Sequence, residues 1–359
     1  MSEPNRVVRL QNAADLIAIV PYLLGFHPAR SLVALTIIPQ EENTPGYGGL
    51  RSVVWIDLPA DRGNAPNVAN RLTTLLAKEP LGYAVLIGYG SGSQVTPTMD
   101  AASGALTTAG FDLLEVLRCD EGRYWSYICT EPACCPPDGV PYDITASPAE
   151  AHAIMEGMVA LPDRGAFDAS LDWIDGPLRE AMREATRTAR DRAEMLLATK
   201  DGRFWWQEGT ERISAALERT QDGDDLTPAD LAWLGVLLTS RLIRDAAMTY
   251  LGKFPDRVHS RLWHLLTRMV EPEYAAAPAT LLAYTAARRG ELPLAHLATS
   301  RALSIDPDYR LATMIRYALT KGLTPPNFAA IDWGSRAEQM ASEAEMNSPL
   351  SRPILPDGR

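Results

Sequence analysis

Hydrophobic positions in the first 145 residues switch repeatedly between helical and strand spacing. Leu16, Ile17, Val20 and Leu23 recur at the helical period behind Asn12 and Asp15, either of which can cap the first turn, and Gly25-Phe-His-Pro28 ends the helix. Ser31 to Ile38 is a β-branched run and Arg51 to Leu58 is a second. The Gly/Pro/Asn-rich stretch from Glu41 to Gly49 joins them, which predicts a long-looped hairpin. Asn64 to Lys78 places Val68, Leu72, Leu75 and Leu76 on one side of a helix. Tyr83 to Tyr89 is apolar throughout, as expected of a central strand covered on both faces. Gly90-Ser-Gly-Ser93 leads into a helix through Met99, Leu106 and Ala109, and Leu113 to Arg118 forms another strand. Arg123 to Cys129 returns from the turn Asp120-Glu-Gly122 as its hairpin partner. The order α-β-β-α-β-α-β-β predicts an α/β sandwich with a mixed sheet.

Beyond Pro148 the strand pattern gives way to helical periods. Helices are expected at about 148–160, 166–199, 203–219, 227–251, 256–270, 274–289, 292–305 and 309–321. Ser147-Pro-Ala-Glu150 is a helix start, with proline at the first helical position. Gly290-Glu-Leu-x-x-Ala295 followed by Ala302-Leu-x-Ile-Asp306-Pro307 is spaced like the second helix of a tetratricopeptide unit. Only one copy is evident, so the expectation is an all-α domain of helical hairpins, partly tetratricopeptide-like, after the α/β domain. The expected boundaries are 1–162 for the α/β domain and 163–325 for the helical one, with an extended or disordered tail at 326–359. Pro162 to Gly165 is the linker candidate.

Composition narrows the classes. A chain of 359 residues can bury two cores, and 46% hydrophobic with 22% charged residues is ordinary for a globular protein. The net charge of −11 opposes non-specific nucleic-acid binding. Arg179, Arg183, Arg187, Arg190 and Arg192 share one helical stretch but interleave with Glu180, Glu184, Asp191 and Glu194, the mark of a salt-bridged solvated face. The longest apolar run, Leu16 to Phe26, is too short to span a bilayer and has no basic residues crowding its start. The expectation is a cytoplasmic protein with neither a nucleic-acid nor a membrane partner.

Candidate chemistry concentrates in Arg123-Tyr-Trp-Ser-Tyr-Ile-Cys-Thr-Glu-Pro-Ala-Cys-Cys-Pro-Pro-Asp-Gly139, which holds three of the four cysteines: Cys129, Cys134 and Cys135. Such a cluster is compatible with structural thiols, a reversible disulfide from Cys129, a metal site or a nucleophilic thiol. No second C-x2–4-C knuckle pairs with the Cys129-x4-Cys134 spacing as in common zinc sites, so no cofactor is expected, with zinc left open. His27 and Arg30 offer an acid/base and an anion anchor in one loop, although a turn-capping histidine is the commoner case. Gly88-Tyr-Gly-Ser-Gly-Ser93 follows a central strand, and Gly90, Ser91 and Gly92 could cradle a phosphate. The G-x-G-x-x-G pattern is incomplete, however, and a flexible turn is the plainer reading. Asp57, at a strand end, could join that mouth, and Trp125 and Tyr127 could contact a ligand. Trp205, Trp206, Trp233 and Trp263 sit among leucines and read as core.

Several segments together resemble one family. They are Ala14-Asp-Leu-Ile-Ala-Ile-Val-Pro-Tyr-Leu-Leu-Gly-Phe-His-Pro28, Arg30-Ser-Leu-Val33, Arg123-Tyr-Trp-Ser-Tyr127, Cys129-Thr-Glu-Pro-Ala-Cys-Cys-Pro-Pro137 and Ala302-Leu-x-x-Asp-Pro-x-Tyr-x-Leu-Ala312. The chain resembles the actinobacterial family catalogued as domain of unknown function 4192. That resemblance implies a bacterial cytoplasmic protein and carries no assigned activity or catalytic residues. No complete catalytic constellation is present. The leading expectation is therefore a regulatory or interaction module whose helical domain meets an unidentified protein partner. The alternatives are an enzyme or ligand binder using the α/β crevice, and a thiol- or zinc-responsive regulator.

Overall fold

Asn12 starts the first helix: its Oδ1 accepts the Asp15 N–H at 2.9 Å. Gly25, left-handed at φ 84°, ends it, so α1 spans Ala13–Leu24. The computed structural model describes residues 12–38, 49–76, 82–321, 339–344 and 349–356; the loop expected at 41–49 lies almost wholly outside them. The described residues fall into two compact units, one running to Phe167 and the other from Asp168.

In the first unit β1 (Ser31–Ile38) pairs antiparallel with both β2 (Gly49–Asp57) and β3 (Tyr83–Tyr89). Between β2 and β3 lies α2 (Ala65–Leu76). From β3 the chain crosses through α3 (Gly92–Thr108) to β4 (Asp112–Asp120), which is parallel to β3. The strands β5 (Arg123–Ser126) and β6 (Val140–Pro141) complete a six-stranded mixed sheet in the order β2-β1-β3-β4-β5-β6, which places the apolar β3 in its interior. Side chains alternate across it. Leu32, Ala34, Ala84, Leu86 and Val116 pack with Val95, Met99 and Leu106 of α3 and with Ala69, Leu72 and Leu76 of α2. On the opposite face Val33, Leu35, Val85 and Ile87 are equally buried. There α1, which touches β2, packs on α4 (Pro148–Met155) around Ile19, Tyr22, Ala149 and Ala153. Ser147 links the two helix starts, donating to Asp15 Oδ1 at 2.8 Å.

The strand expected to reach Cys129 stops at Ser126. The Ser126 Oγ accepts the N–H groups of Ile128 (3.3 Å) and Cys129 (3.0 Å), a local turn that takes the backbone off the ladder. The two-residue β6 has too little pattern to be read from sequence.

The helix expected at 166–199 is interrupted, its first residues ending the first unit at Phe167 and the rest opening the second. A short α5 (Arg164–Asp168) ends early, and α6 (Pro177–Leu197) starts afresh at Gly176 (φ 76°) with proline in its first turn. The helix expected at 227–251 is likewise two, α8 (Pro228–Leu237) and α9 (Arg241–Thr249), because Ser240 opens a new turn by accepting the Ile243 N–H. The remaining helices are α7 (Gly202–Asp222), α10 (Asp256–Met269), α11 (Ala276–Arg289), α12 (Leu292–Ile305) and α13 (Arg310–Thr320). One core runs through them, including Trp205, Trp233, Trp263, Ile213, Leu262, Leu282 and Ala295. Ala302 meets Ala279 and Ala312 in a smaller cluster. The arginine-rich stretch is ion-paired: Arg183–Glu180, Arg187–Glu184 and Arg190–Glu194 lie along α6, while the buried Arg179 reaches Glu271 at 2.8 Å. Within the segment expected as an extended or disordered tail, 339–344 is helical and 349–351 forms a 3-10 turn. Ser351 is buried there, and Ser240 Oγ donates to the Leu350 carbonyl. No helix among the described residues is long and apolar enough to cross a membrane.

Candidate thiol site

The turn at Ser126 aims the chain out of the sheet and begins a loop that brings three cysteines together. The Ser126 hydroxyl donates to Glu115 Oε1 at 2.8 Å while accepting the Cys129 N–H, so Cys129 is pinned to β4 and β5 at once. The chain then doubles back: the Glu131 carbonyl accepts the N–H groups of Cys134 (3.1 Å) and Cys135 (2.7 Å). Pro132, Pro136 and Pro137 limit the other conformations of this segment. The Sγ atoms of Cys129, Cys134 and Cys135 all lie within 4.8 Å of one another, and those of Cys134 and Cys135 are 3.9 Å apart. Cys134 is exposed and the other two are half-buried; all three are free thiols.

Gly139 closes the loop. Its left-handed backbone (φ 78°) lets the chain pass against Trp125, where a Cβ would stand 2.5 Å from ring atom Cε2. The Trp125 indole donates to the Pro137 carbonyl at 2.9 Å, and Arg123 donates to the Gly139 carbonyl at 2.9 Å. The Trp125 ring also carries the Arg118 guanidinium, 3.4 Å from the ring centroid.

The thiols are not equivalent. The Glu131 backbone N–H, and after it the Cys135 thiol, hydrogen-bond to Cys129 and hold its pKa below the ordinary thiol value. Cys135 is pushed up to about 12, first by its hydrogen bond with Cys129 and then by burial. The fourth cysteine, Cys119 on β4, is buried, and burial raises it to about 12. A sulfur that accepts an N–H, two further sulfurs beside it and open solvent together suit soft-ligand and thiol–disulfide chemistry.

The other sequence candidates fall at a different edge. Asp57 pairs with Ser31, Ser31 with Tyr89 and Tyr89 with Cys119, so these residues form one row at the carboxyl end of β3. Gly90 follows at that end, and the Arg30 carbonyl accepts the Leu58 N–H there. The chain beyond Ser126 runs the other way, since Ser126 lies opposite Leu117 and the Tyr127 N–H bonds the Val116 carbonyl. The register thus carries Cys129 away from the Asp57, Arg30 and Gly90 end. His27 sits in a turn bridged to Leu161, its N–H donating to the Leu161 carbonyl. At the start of α3, Ser91 turns its hydroxyl to Ser93 (3.2 Å) and Gln94 (3.1 Å), and Gly92 faces the Arg118 guanidinium. Arg118 is engaged with the Gly90 carbonyl and Asp120, both at 3.4 Å. The polar atom of Tyr127 is also engaged, with Thr96 at 2.6 Å, on the α3 side of the sheet.

Sequence reasoning missed four residues that build the thiol site: Glu115, Ser126, Glu131 and Gly139. The only local signals were a serine just after an aromatic run and a glycine closing a Pro-Pro-Asp stretch. Pairing β4 with β5 is what gives them roles.

Across 14–326 the chain matches the family described as domain of unknown function (DUF4192), and it belongs to that family. No curated protein and no solved structure matches it.

Proposed function

We propose that this protein is a thiol-responsive regulatory module, in which the Cys129, Cys134 and Cys135 loop changes covalent state and the helical unit relays that state to a protein partner. One observation carries this reading: three sulfurs lie within 4.8 Å of one another on a solvent-facing loop. In the reaction, the Cys129 sulfur attacks a low-molecular-weight disulfide and expels one thiolate, giving a mixed disulfide. Cys134 or Cys135 then loses its proton to solvent and attacks Cys129, expelling the second thiolate. Two protein thiols are oxidised and one small disulfide is reduced. The Glu131 N–H supports negative charge on Cys129, which fits the role of attacking sulfur. The helical unit supports the second half of the proposal through its helical hairpins, α11 followed after two residues by α12 and then α13. The tetratricopeptide-like spacing around Gly290 and Ala302 belongs to that part of the proposal. The test is to treat the reduced full chain with oxidised glutathione and map its disulfides by peptide mass spectrometry. An intramolecular bond from Cys129 to Cys134 or Cys135, with Cys119 still free, supports the reading. Three thiols that stay free, or the same oxidation rate in Cys129→Ser, would refute it.

A further inference from the structure

The spacing of the same sulfurs points to a ligand as well as a reaction. We propose that Cys129, Cys134 and Cys135 together bind one soft divalent cation of the zinc class, with a fourth coordination position open to solvent. The inference rests on the thiol reading above only in requiring that the three cysteines be reduced and convergent.

The argument is geometric. Zinc–sulfur bonds of about 2.3 Å in a tetrahedron put neighbouring sulfurs roughly 3.8 Å apart. The Cys134 and Cys135 sulfurs are 3.9 Å apart, and the Cys129 sulfur lies within 4.8 Å of both. Three corners of the tetrahedron are therefore nearly in place, and closing it needs shifts of about an ångström at most on an exposed loop. The backbone holds these positions on its own. Glu131 fixes Cys134 and Cys135 through its carbonyl, and Ser126 fixes the Cys129 N–H. Hydrogen bonds of this kind beside ligating residues orient them. An all-sulfur set selects soft cations over magnesium or calcium, which take oxygen ligands. With three protein ligands the site resembles the open class of zinc centre, where water or an exogenous group takes the last position. Binding breaks up to three S–H bonds, sends those protons to the buffer and forms three S–metal bonds, with no electron transferred. The bound cation would also mask the Cys129 sulfur, making metal occupancy and disulfide formation mutually exclusive states of one loop.

The experiment uses the full chain, reduced and stripped of metal by chelation. Zinc(II) is titrated in competition with a chromophoric chelator, and cobalt(II) is added separately to observe thiolate-to-cobalt charge-transfer absorption. We expect one equivalent of zinc, and cobalt absorption that weakens in each of Cys129→Ser, Cys134→Ser and Cys135→Ser. Zinc affinity should fall at least tenfold in each of these and stay unchanged in Cys119→Ser, with thermal unfolding confirming that all four variants fold. The proposal is overturned if the parent takes up no zinc against the chelator, or if the three loop variants bind as the parent does. Loss of zinc binding in Cys119→Ser alone would also overturn it. A chain that forms the intramolecular disulfide yet takes up no cation sinks this inference and leaves the thiol reading standing; a chain that does neither sinks both.

Discussion

Replacing Gly139 by alanine tests how the thiol loop is held. Two costs follow from the structure. At φ 78° an L-residue occupies left-handed space, which costs roughly 1–2 kcal/mol. The new methyl would also stand 2.5 Å from Trp125 Cε2 and 2.7 Å from Cζ2, so the ring must move. Moving it gives up the hydrogen bond to Pro137, worth about 1 kcal/mol, and the stack with Arg118, worth about 0.5–1 kcal/mol. The sum is about 3 kcal/mol. Gly122→Ala is the control, because Gly122 is also left-handed (φ 72°) but a Cβ there meets nothing within 4 Å. It should show the backbone cost alone. A probe confined to this unit is available in Cys119, which is 3% exposed. In a chain carrying Cys129→Ser, Cys134→Ser and Cys135→Ser, it is the only thiol left of the four in the sequence. Its alkylation under native conditions then reports the opening of the first unit. With about 1.4 kcal/mol per decade, Gly139→Ala should speed labelling on the order of a hundredfold and Gly122→Ala roughly tenfold. Equal rates for the two variants would refute the claim that Gly139 is required by Trp125.

Leu86→Asp should unfold the first unit, since an unpaired charge at a fully buried site in the sheet interior costs several kcal/mol; circular dichroism and Cys119 labelling matching the parent would contradict the sheet assignment. Ala302→Trp should destabilise the second unit by roughly 1–3 kcal/mol by overpacking the contact with Ala279 and Ala312, read as a lower urea midpoint for loss of helix. Acid should weaken the same unit through His259, whose pKa burial lowers to about 4. The unfolded chain takes up that proton near 6.5, so this stability is complete above that pH and is lost as pH falls toward 4, by up to about 3 kcal/mol. His264 and His296, also lowered by burial, act in the same direction. In His259→Gln the urea midpoint should change less between pH 7 and 4.5 than in the parent, and an identical change would count against the assignment.

Some of this protein was determined by local sequence alone. The β-branched and apolar runs at Ser31–Ile38 and Tyr83–Tyr89 become strands at those same boundaries, because β-branched and aromatic residues suit a pleated surface that is buried on both faces. Asn12 and Gly25 bound α1, and Gly290 ends α11, because capping and left-handed turns act within a few residues. Helix interruptions at Gly176 and Ser240 were not read from the sequence, although Gly176-Pro177 and the capping Ser240 are local start signals acting over a single turn. The cysteines were visible as a cluster, but their convergence was not. It depends on Ser126 leaving the ladder, on Glu131 bonding Cys134 and Cys135 with its carbonyl, and on Gly139 passing Trp125, whose own position is set by Arg118 across the β4–β5 pair. The separation of Cys129 from the Asp57, Arg30 and Gly90 end was likewise decided by strand register, which no single stretch of sequence encodes. Short-range order follows from side-chain size, branching and capping chemistry, whereas the site is a product of contacts between residues distant in the chain, and those exist only once the sheet has formed.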